Sequence, residues 1–173
     1  MPDVFIRGQR IRLTANRVIG QGGEADIYDI GKGTAVKLYK PPDHPDFRGL
    51  PNEQEGARRR IKEIQAKLRE FPKNLPPRIV APTELVTNEA GDKILGYAMK
   101  FLSGAEVLLR YGERKFREQG GISNQLVEEI FQDLHSTVLK THDKGVVFGD
   151  FNDLNILVRG SEAYIVDIDS CQF

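Results

Sequence analysis

The feature that most constrains this chain is the way β-type patterning is cut by glycine near the N-terminus. Residues 4–39 hold three runs with β-branched and alternating apolar positions, VFIRGQRIRL, NRVIGQGGEADIYDI and GTAVKLYK. A period of two over short runs separated by turn residues is the mark of half-buried strands. The pattern predicts an antiparallel β meander. Residues 40–51 (KPPDHPDFRGLP) contain four prolines and a glycine, which exclude regular structure and mark a loop. Over 52–71 the period changes. Ala57, Ile61, Ile64, Leu68 and Phe71 fall on one helical stripe, and Pro72 ends it. After a second proline-rich turn, TELVTNE and KILGYAMKFL, split by Ala90-Gly91-Asp92, read as a hairpin. About five strands and one helix are expected by residue 102.

A helical region follows. Leu126, Ile130, Leu134 and Val138 recur at helical spacing, with Ser123 or Asn124 as the N-cap and Gly145 as the stop. Then NILV and AYIVDI, separated by Arg159, Gly160, Ser161 and Glu162, read as a small hairpin. The expected fold class is α+β. Residues 1–102 form a β lobe with the helix 52–71. Residues 103–173 form a mainly helical part with a helix at 123–144, a loop at 148–155 and a hairpin at 155–167.

Composition narrows the function. Lys plus Arg and Asp plus Glu are 25 each, so no basic footprint argues for nucleic acid or an anionic membrane. No apolar run reaches the roughly 18–20 residues of a membrane span, and the N-terminus lacks a secretory apolar segment, which points to a cytoplasmic protein. The single cysteine, Cys171, excludes an internal disulfide and a cysteine-rich metal site.

Three motifs carry chemistry. Gly20-Gln21-Gly22-Gly23-Glu24-Ala25-Asp26-Ile27-Tyr28 lies between two strands. Bare glycines let backbone N–H groups approach phosphate oxygens, although alone such a turn is equally an ordinary turn. The next element is a strand, so neither a dinucleotide fingerprint nor a Walker loop applies. Lys37 in Ala35-Val36-Lys37-Leu38 follows on the next strand, where its amine can neutralise phosphates. The strongest motif is Val147 to Val158 followed by Tyr164-Ile165-Val166-Asp167. A hairpin centred on Ser161 sets 156 opposite 166 and 158 opposite 164, so Asn155 and Asp167 emerge together at its open end. An amide carbonyl and a carboxylate are hard oxygen donors suited to Mg²⁺. Asp150, on the entering loop, then lies where it can accept a hydroxyl proton.

In order and spacing these motifs resemble the protein kinase superfamily, in its bacterial Ser/Thr form. The resemblance implies an ATP and Mg²⁺ site built from a β lobe and a helical lobe, with Gly20, Gly22 and Gly23 over the phosphates and Lys37 beneath them. It implies that Gly96 to Glu106 is the hinge, with Met99 as gatekeeper, the Lys100 carbonyl and Leu102 amide on the adenine edge, and Glu106 near ribose. Ile19, Ile27, Ala35 and Leu157 would sandwich the purine. Asp150 would be the catalytic aspartate, with Asn155 and Asp167 as metal ligands. His142 would be structural, donating hydrogen bonds. The family also holds its strand lysine with a helix glutamate. Projected at 100° per residue, Glu53 shares the face of Ala57, Ile61, Ile64 and Leu68, with Glu63 as the alternative.

The chain departs from the family at four places. Ala25 replaces the third glycine, and Phe148-Gly149 replaces the His-Arg before the catalytic aspartate. Asn152 replaces a lysine, and Asp167-Ile168-Asp169 replaces Asp-Phe-Gly, with Asp169 either a second metal ligand or a hydrated acid. The chain stops six residues after Asp167, so the resemblance reads as a kinase region truncated there. An uncovered apolar face on the helix 123–144 is expected, with self-association as its consequence. The expected activity is phosphoryl transfer from ATP to a Ser/Thr hydroxyl of a protein substrate. The alternatives are a small-molecule phosphotransferase of the aminoglycoside or choline kinase type and a pseudokinase-like nucleotide-binding module.

Overall fold

The computed structural model describes residues 3–173. The chain divides into two compact units. The first runs to Phe71 and resumes over Pro82–Phe101, and the second combines Pro72–Ala81 with Leu102–Phe173. Residues 72–81, assigned above to the β lobe, therefore belong to the second unit.

The first unit is a seven-stranded antiparallel sheet of β1 (Asp3–Ile6), β2 (Gln9–Arg12), β3 (Val18–Gln21), β4 (Ala25–Gly31), β5 (Thr34–Tyr39), β6 (Glu84–Thr87) and β7 (Ile94–Lys100). Their order is β2-β1-β6-β7-β5-β4-β3. Seven strands stand where about five were expected, because the first two glycine-broken runs each fold back on themselves, at Arg7-Gly8 and at residues 22–24. Only β3, β4 and β5 make a simple meander. The β6–β7 hairpin inserts between β5 and β1.

Register divides this sheet into two faces. Tyr28 pairs with Val36 and Val36 with Ala98, and these three join Val4, Leu13 and Val86 in one buried cluster. Burying each such side chain is worth about 1.5–3 kcal/mol for the larger ones. The alternate residues, Ile27, Ala35, Lys37, Tyr97 and Met99, line the other face. Helix α1 (Pro51–Lys67) packs on β7. Pro51 opens it at the first helical position, where a missing N–H costs nothing. Thus the loop expected through residue 51 already contains the helix start. Ala57, Ile64, Leu68 and Phe71 of the stripe are buried, although the helix ends at Lys67 rather than Phe71. Gln65 fastens it, with Nε2 donating to the Ile94 carbonyl at 2.9 Å and Oε1 accepting from the Ile94 N–H at 2.8 Å.

Gly56 sits inside α1 with open space where a Cβ would project. Gly56→Ala is expected to stabilise the protein by about 0.5–1 kcal/mol, because alanine lowers the entropy of the unfolded chain and clashes with nothing. A urea titration that shows a loss instead would contradict this placement of the helix.

The second unit contains α2 (Arg114–Gly120), α3 (Asn124–His142) and a three-stranded sheet, β10-β9-β8, of β8 (Glu106–Val107), β9 (Ile156–Arg159) and β10 (Glu162–Ile165). Ser123 is the N-cap of α3, its Oγ accepting from the Leu126 N–H at 3.1 Å. Helix α2 was not anticipated, since RKFREQG has one large apolar residue and no readable stripe. It is held by Phe116, whose ring meets Tyr111 at 5.4 Å and lies under the Arg110 guanidinium. The β9–β10 register also differs from the expected one. Ile156 faces Ile165 and Val158 faces Ala163, a shift of one residue, because the turn is the two-residue Gly160-Ser161 with only Gly160 at positive φ (65°).

The segment 78–80 adds to this sheet from the side. The Ile165 N–H donates to the Arg78 carbonyl and the Val80 N–H to the Ile165 carbonyl, both at 2.9 Å. The Arg78 side chain reaches Asp133 of α3 at 3.2 Å and Glu162 at 2.5 Å, and it lies over the Tyr164 ring. Phe131 and Leu139 of α3 are half exposed. A groove of about 740 Å³ beside α3 is lined by Leu108, Leu109, Val127, Phe131, Leu134 and Phe151 among others, the apolar face expected on this helix. Among the described residues, no helix is long and apolar enough to cross a membrane.

Candidate active site

In the first unit the ladder aligns the singled-out residues in rows. Gly20 pairs with Ile27, and Ile27 with Lys37. Two residues along β5, Ala35 pairs with Met99. Because side chains alternate, Lys37 and Ala35 share a face with Ile27 and Met99 beside them. Lys37 is 6% exposed, and its Nζ lies 5.4 Å from the centroid of the Tyr39 ring. Ile19 is exposed on β3, and Lys100 ends β7 opposite Thr34.

The glycine turn, residues 22–25, is closed by the Gly22 N–H donating to the Ala25 carbonyl at 2.9 Å. Glycines 20, 22 and 23 all keep negative φ, so what they supply is an absence of side chains. Glu53 and Glu63, the residues expected to hold Lys37, both lie on exposed parts of α1. Arg60 of α1 pairs with Glu24 of the turn.

A second contact to the turn went unread in the sequence. Lys40, just past β5, is 4% exposed, and its Nζ donates to the Gly22 carbonyl and to Asp46, each at 2.6 Å. Burial opposes its charge, but the Asp46 hydrogen bond and the Asp26 carboxylate outweigh burial and raise the Lys40 pKa above the usual lysine value. Asp46 is held below the usual carboxylate range by the Lys40 hydrogen bond. The signal was present, since strand alternation places residue 40 with Val36 and Leu38, where an apolar side chain is expected.

In the second unit the loop after α3 forms its own network. The Asn152 Nδ2 donates to Asp150 Oδ1 at 2.9 Å, and the Asn155 Nδ2 donates both to Asp150 Oδ2 and to the Asp150 carbonyl at 3.0 Å. The Asn152 Oδ1 accepts from the N–H groups of Leu154 (2.9 Å) and Asn155 (3.1 Å), closing an Asx turn. Thus Asn152 is a brace for Asp150 and for the turn. Asp150 itself is exposed. The Asn155 carbonyl accepts from the Val166 N–H at 2.9 Å, which sets Asn155 beside the residue preceding Asp167. Asp167 has φ 57° and ψ 45°. A left-handed conformation at a non-glycine residue costs of order 1–3 kcal/mol and gathers at functional sites.

The strands leading in are pinned from behind. Val147 and Gln172 exchange backbone hydrogen bonds at 2.9 and 2.8 Å. A Cβ at Gly149 would stand 2.4 Å from the Ser170 carbonyl oxygen, so no residue but glycine fits there, one place before Asp150. Glu106 ion-pairs with Arg110 at 3.0 Å and faces Val158, while Leu157 is opposite Val107. Leu102 is buried. His142 is exposed. Its ring meets Phe148 at 5.9 Å, and Phe148 meets Phe151 at 5.4 Å, so the imidazole belongs to an aromatic cluster.

No family model matches the chain. It is similar to Protein kinase YegI of Escherichia coli O157:H7, with 24% identity over 165 residues that cover 92% of this chain and 24% of that protein. The chain thus spans about a quarter of the length of the curated relative it matches. A crystal structure of monomeric WbdD shares the fold with a TM-score of 0.61 at 16% identity, over 98% of this chain and 40% of that one. These likenesses agree with an α+β fold and a distant relationship to a protein named as a kinase.

The donor set suits a hard cation. With the Asn155 Nδ2 engaged by Asp150, its side-chain Oδ1 is the oxygen that could meet a metal, and Asp167 would add a carboxylate. Among the described residues no group of three or more His, Cys, Asp or Glu side chains could hold a metal. Two protein oxygens match an ion that takes its remaining ligands from water and phosphate.

Proposed function

We propose that this chain is the ATP-binding and phosphoryl-transfer region of a kinase that phosphorylates Ser or Thr hydroxyls of a protein. The observation that carries the reading is the Asp150–Asn155 hydrogen bond, together with the bond from the Val166 N–H, one residue before Asp167, to the Asn155 backbone carbonyl. The relative named as a protein kinase supports it. Asp150 accepts the proton of the attacking hydroxyl on a carboxylate oxygen whose position Asn152 and Asn155 fix. Asn155 and Asp167 would hold Mg²⁺, which would neutralise phosphate charge. In the first unit, Lys37 supplies positive charge for the phosphates, and Gly20, Gly22 and Gly23 put no side chain in their way, with the Gly22 N–H spent on the Ala25 carbonyl. In the same unit Ile27, Ala35 and Met99 share the face that takes the purine, with the Lys100 carbonyl at its edge. Glu53 of α1, with Glu63 as the alternative, is the proposed partner of Lys37.

Mg-ATP at 100 times its dissociation constant should add about 2.7 kcal/mol of stability, which raises Tm by about 5–10 °C for a chain of this size. Lys37→Ala and Asp167→Asn should lose most of that shift. Asparagine is the choice at 167 because it tolerates the left-handed backbone while removing the charge. If millimolar Mg-ATP leaves Tm unmoved, the reading is wrong. Radiolabel from ATP should pass to a Ser/Thr protein substrate in preference to small alcohols, and the opposite preference would replace the protein acceptor with a small molecule.

A further inference from the structure

The glycine turn between β3 and β4 is gripped by a single buried cation. The ammonium of Lys40 donates to the Gly22 carbonyl at 2.6 Å and to Asp46 Oδ2 at 2.6 Å, and it lies 3.5 Å from Asp26 Oδ1. The backbone N–H of the same residue donates to the Glu24 carbonyl at 2.9 Å. Lys40 therefore holds the carbonyls on both sides of Gly23.

The peptide plane turns this grip into a direction. In a trans peptide the C=O and the following N–H point opposite ways, and no cis peptide occurs among the described residues. Fixing the Gly22 carbonyl on Lys40 therefore sends the Gly23 N–H to the other side of the turn. At Gly23 a Cβ would meet nothing within 4 Å, so this glycine borders open space. Outward N–H groups in a turn form a concavity suited to anions. An apolar residue at 40 would continue the face of Val36 and Leu38, yet it would leave the Gly22 peptide free to rotate. Burying a charge is costly unless it is paired, and here the pairing is spent on the turn.

We propose that Lys40 is a positioning residue for phosphate recognition, holding the Gly22–Gly23 peptide so that the Gly23 N–H faces the nucleotide's phosphates; this rests on the nucleotide reading above. In that reading the base and sugar are taken away from the turn, so the effect of Lys40 falls on the phosphate end. Calorimetric titration of the full chain with Mg-ATP and, separately, with adenosine tests it. Lys40→Met is expected to weaken Mg-ATP about tenfold while adenosine changes by less than about twofold. Asp46→Ala removes a partner whose side chain is 56% exposed, and it should shift the same ratio in the same direction by about threefold. Should Lys40→Met fail to fold, the Asp46→Ala ratio decides alone. An equal loss for both ligands, or no loss for either, overturns the positioning role while wild-type binding keeps the nucleotide reading alive. A wild-type chain that binds no Mg-ATP overturns that reading and this assignment together.

Discussion

Gly96→Ala should cost the protein at least about 3 kcal/mol, read as a fall in the urea midpoint. Gly96 lies on β7 opposite Leu38 of β5. A Cβ there would stand 2.0 Å from the Lys37 carbonyl oxygen and 3.0 Å from its carbon. Both are backbone atoms inside a paired ladder, so no side-chain rotation relieves the clash. The strands must part next to the residue that carries the proposed phosphate-binding amine, and the ladder between β5 and β7 opens at its Leu38–Gly96 end. Nucleotide binding should fall with stability. A loss below about 1 kcal/mol would mean that the two strands separate at little cost, against the close approach seen here.

Asp150→Asn should lower phosphoryl transfer by about 10²–10⁴-fold, the usual worth of a positioned general base, and leave the Mg-ATP thermal shift intact. Asp150 is exposed and anchors no core packing, so the fold has little to lose. The asparagine keeps one oxygen as an acceptor for Asn152 or Asn155, but it cannot take the hydroxyl proton. Single-turnover kinetics with labelled ATP separate the two effects. If transfer stays within about tenfold of wild type, Asp150 does not accept the proton.

Much of the fold was legible because strand and helix periods are local. The stripe Ala57, Ile64, Leu68 and Phe71 is buried as its spacing predicts, and Ser123 caps α3 as its place before Leu126 suggests. Helix α2 was illegible because a short, charged segment held by one phenylalanine ring has no period to read. The β9–β10 register was misjudged by one residue because turn geometry sets it, and the apolar runs fit either register. At the site, Asp150, Asn155 and Asp167 could be named from their order and spacing. Helical projection alone leaves Glu53 and Glu63 as alternatives, since it gives an angle and says nothing about distance, and both residues are exposed on α1. Lys40 looked like the edge of a proline-rich loop until Gly22, Asp26 and Asp46 were seen around it.

The amino-acid order alone determined which residue types stand ready for phosphate and metal chemistry, and which stretches become strands or helices. Those are properties of neighbours along the chain. Tertiary structure decided that Lys40 faces inward, that Gly96 and Gly149 admit no side chain, and that Arg60 of α1 pairs with Glu24 of the glycine turn. Each of these depends on two backbone segments far apart in sequence coming within a few ångströms of each other. That approach is fixed by register and packing, which no local period encodes.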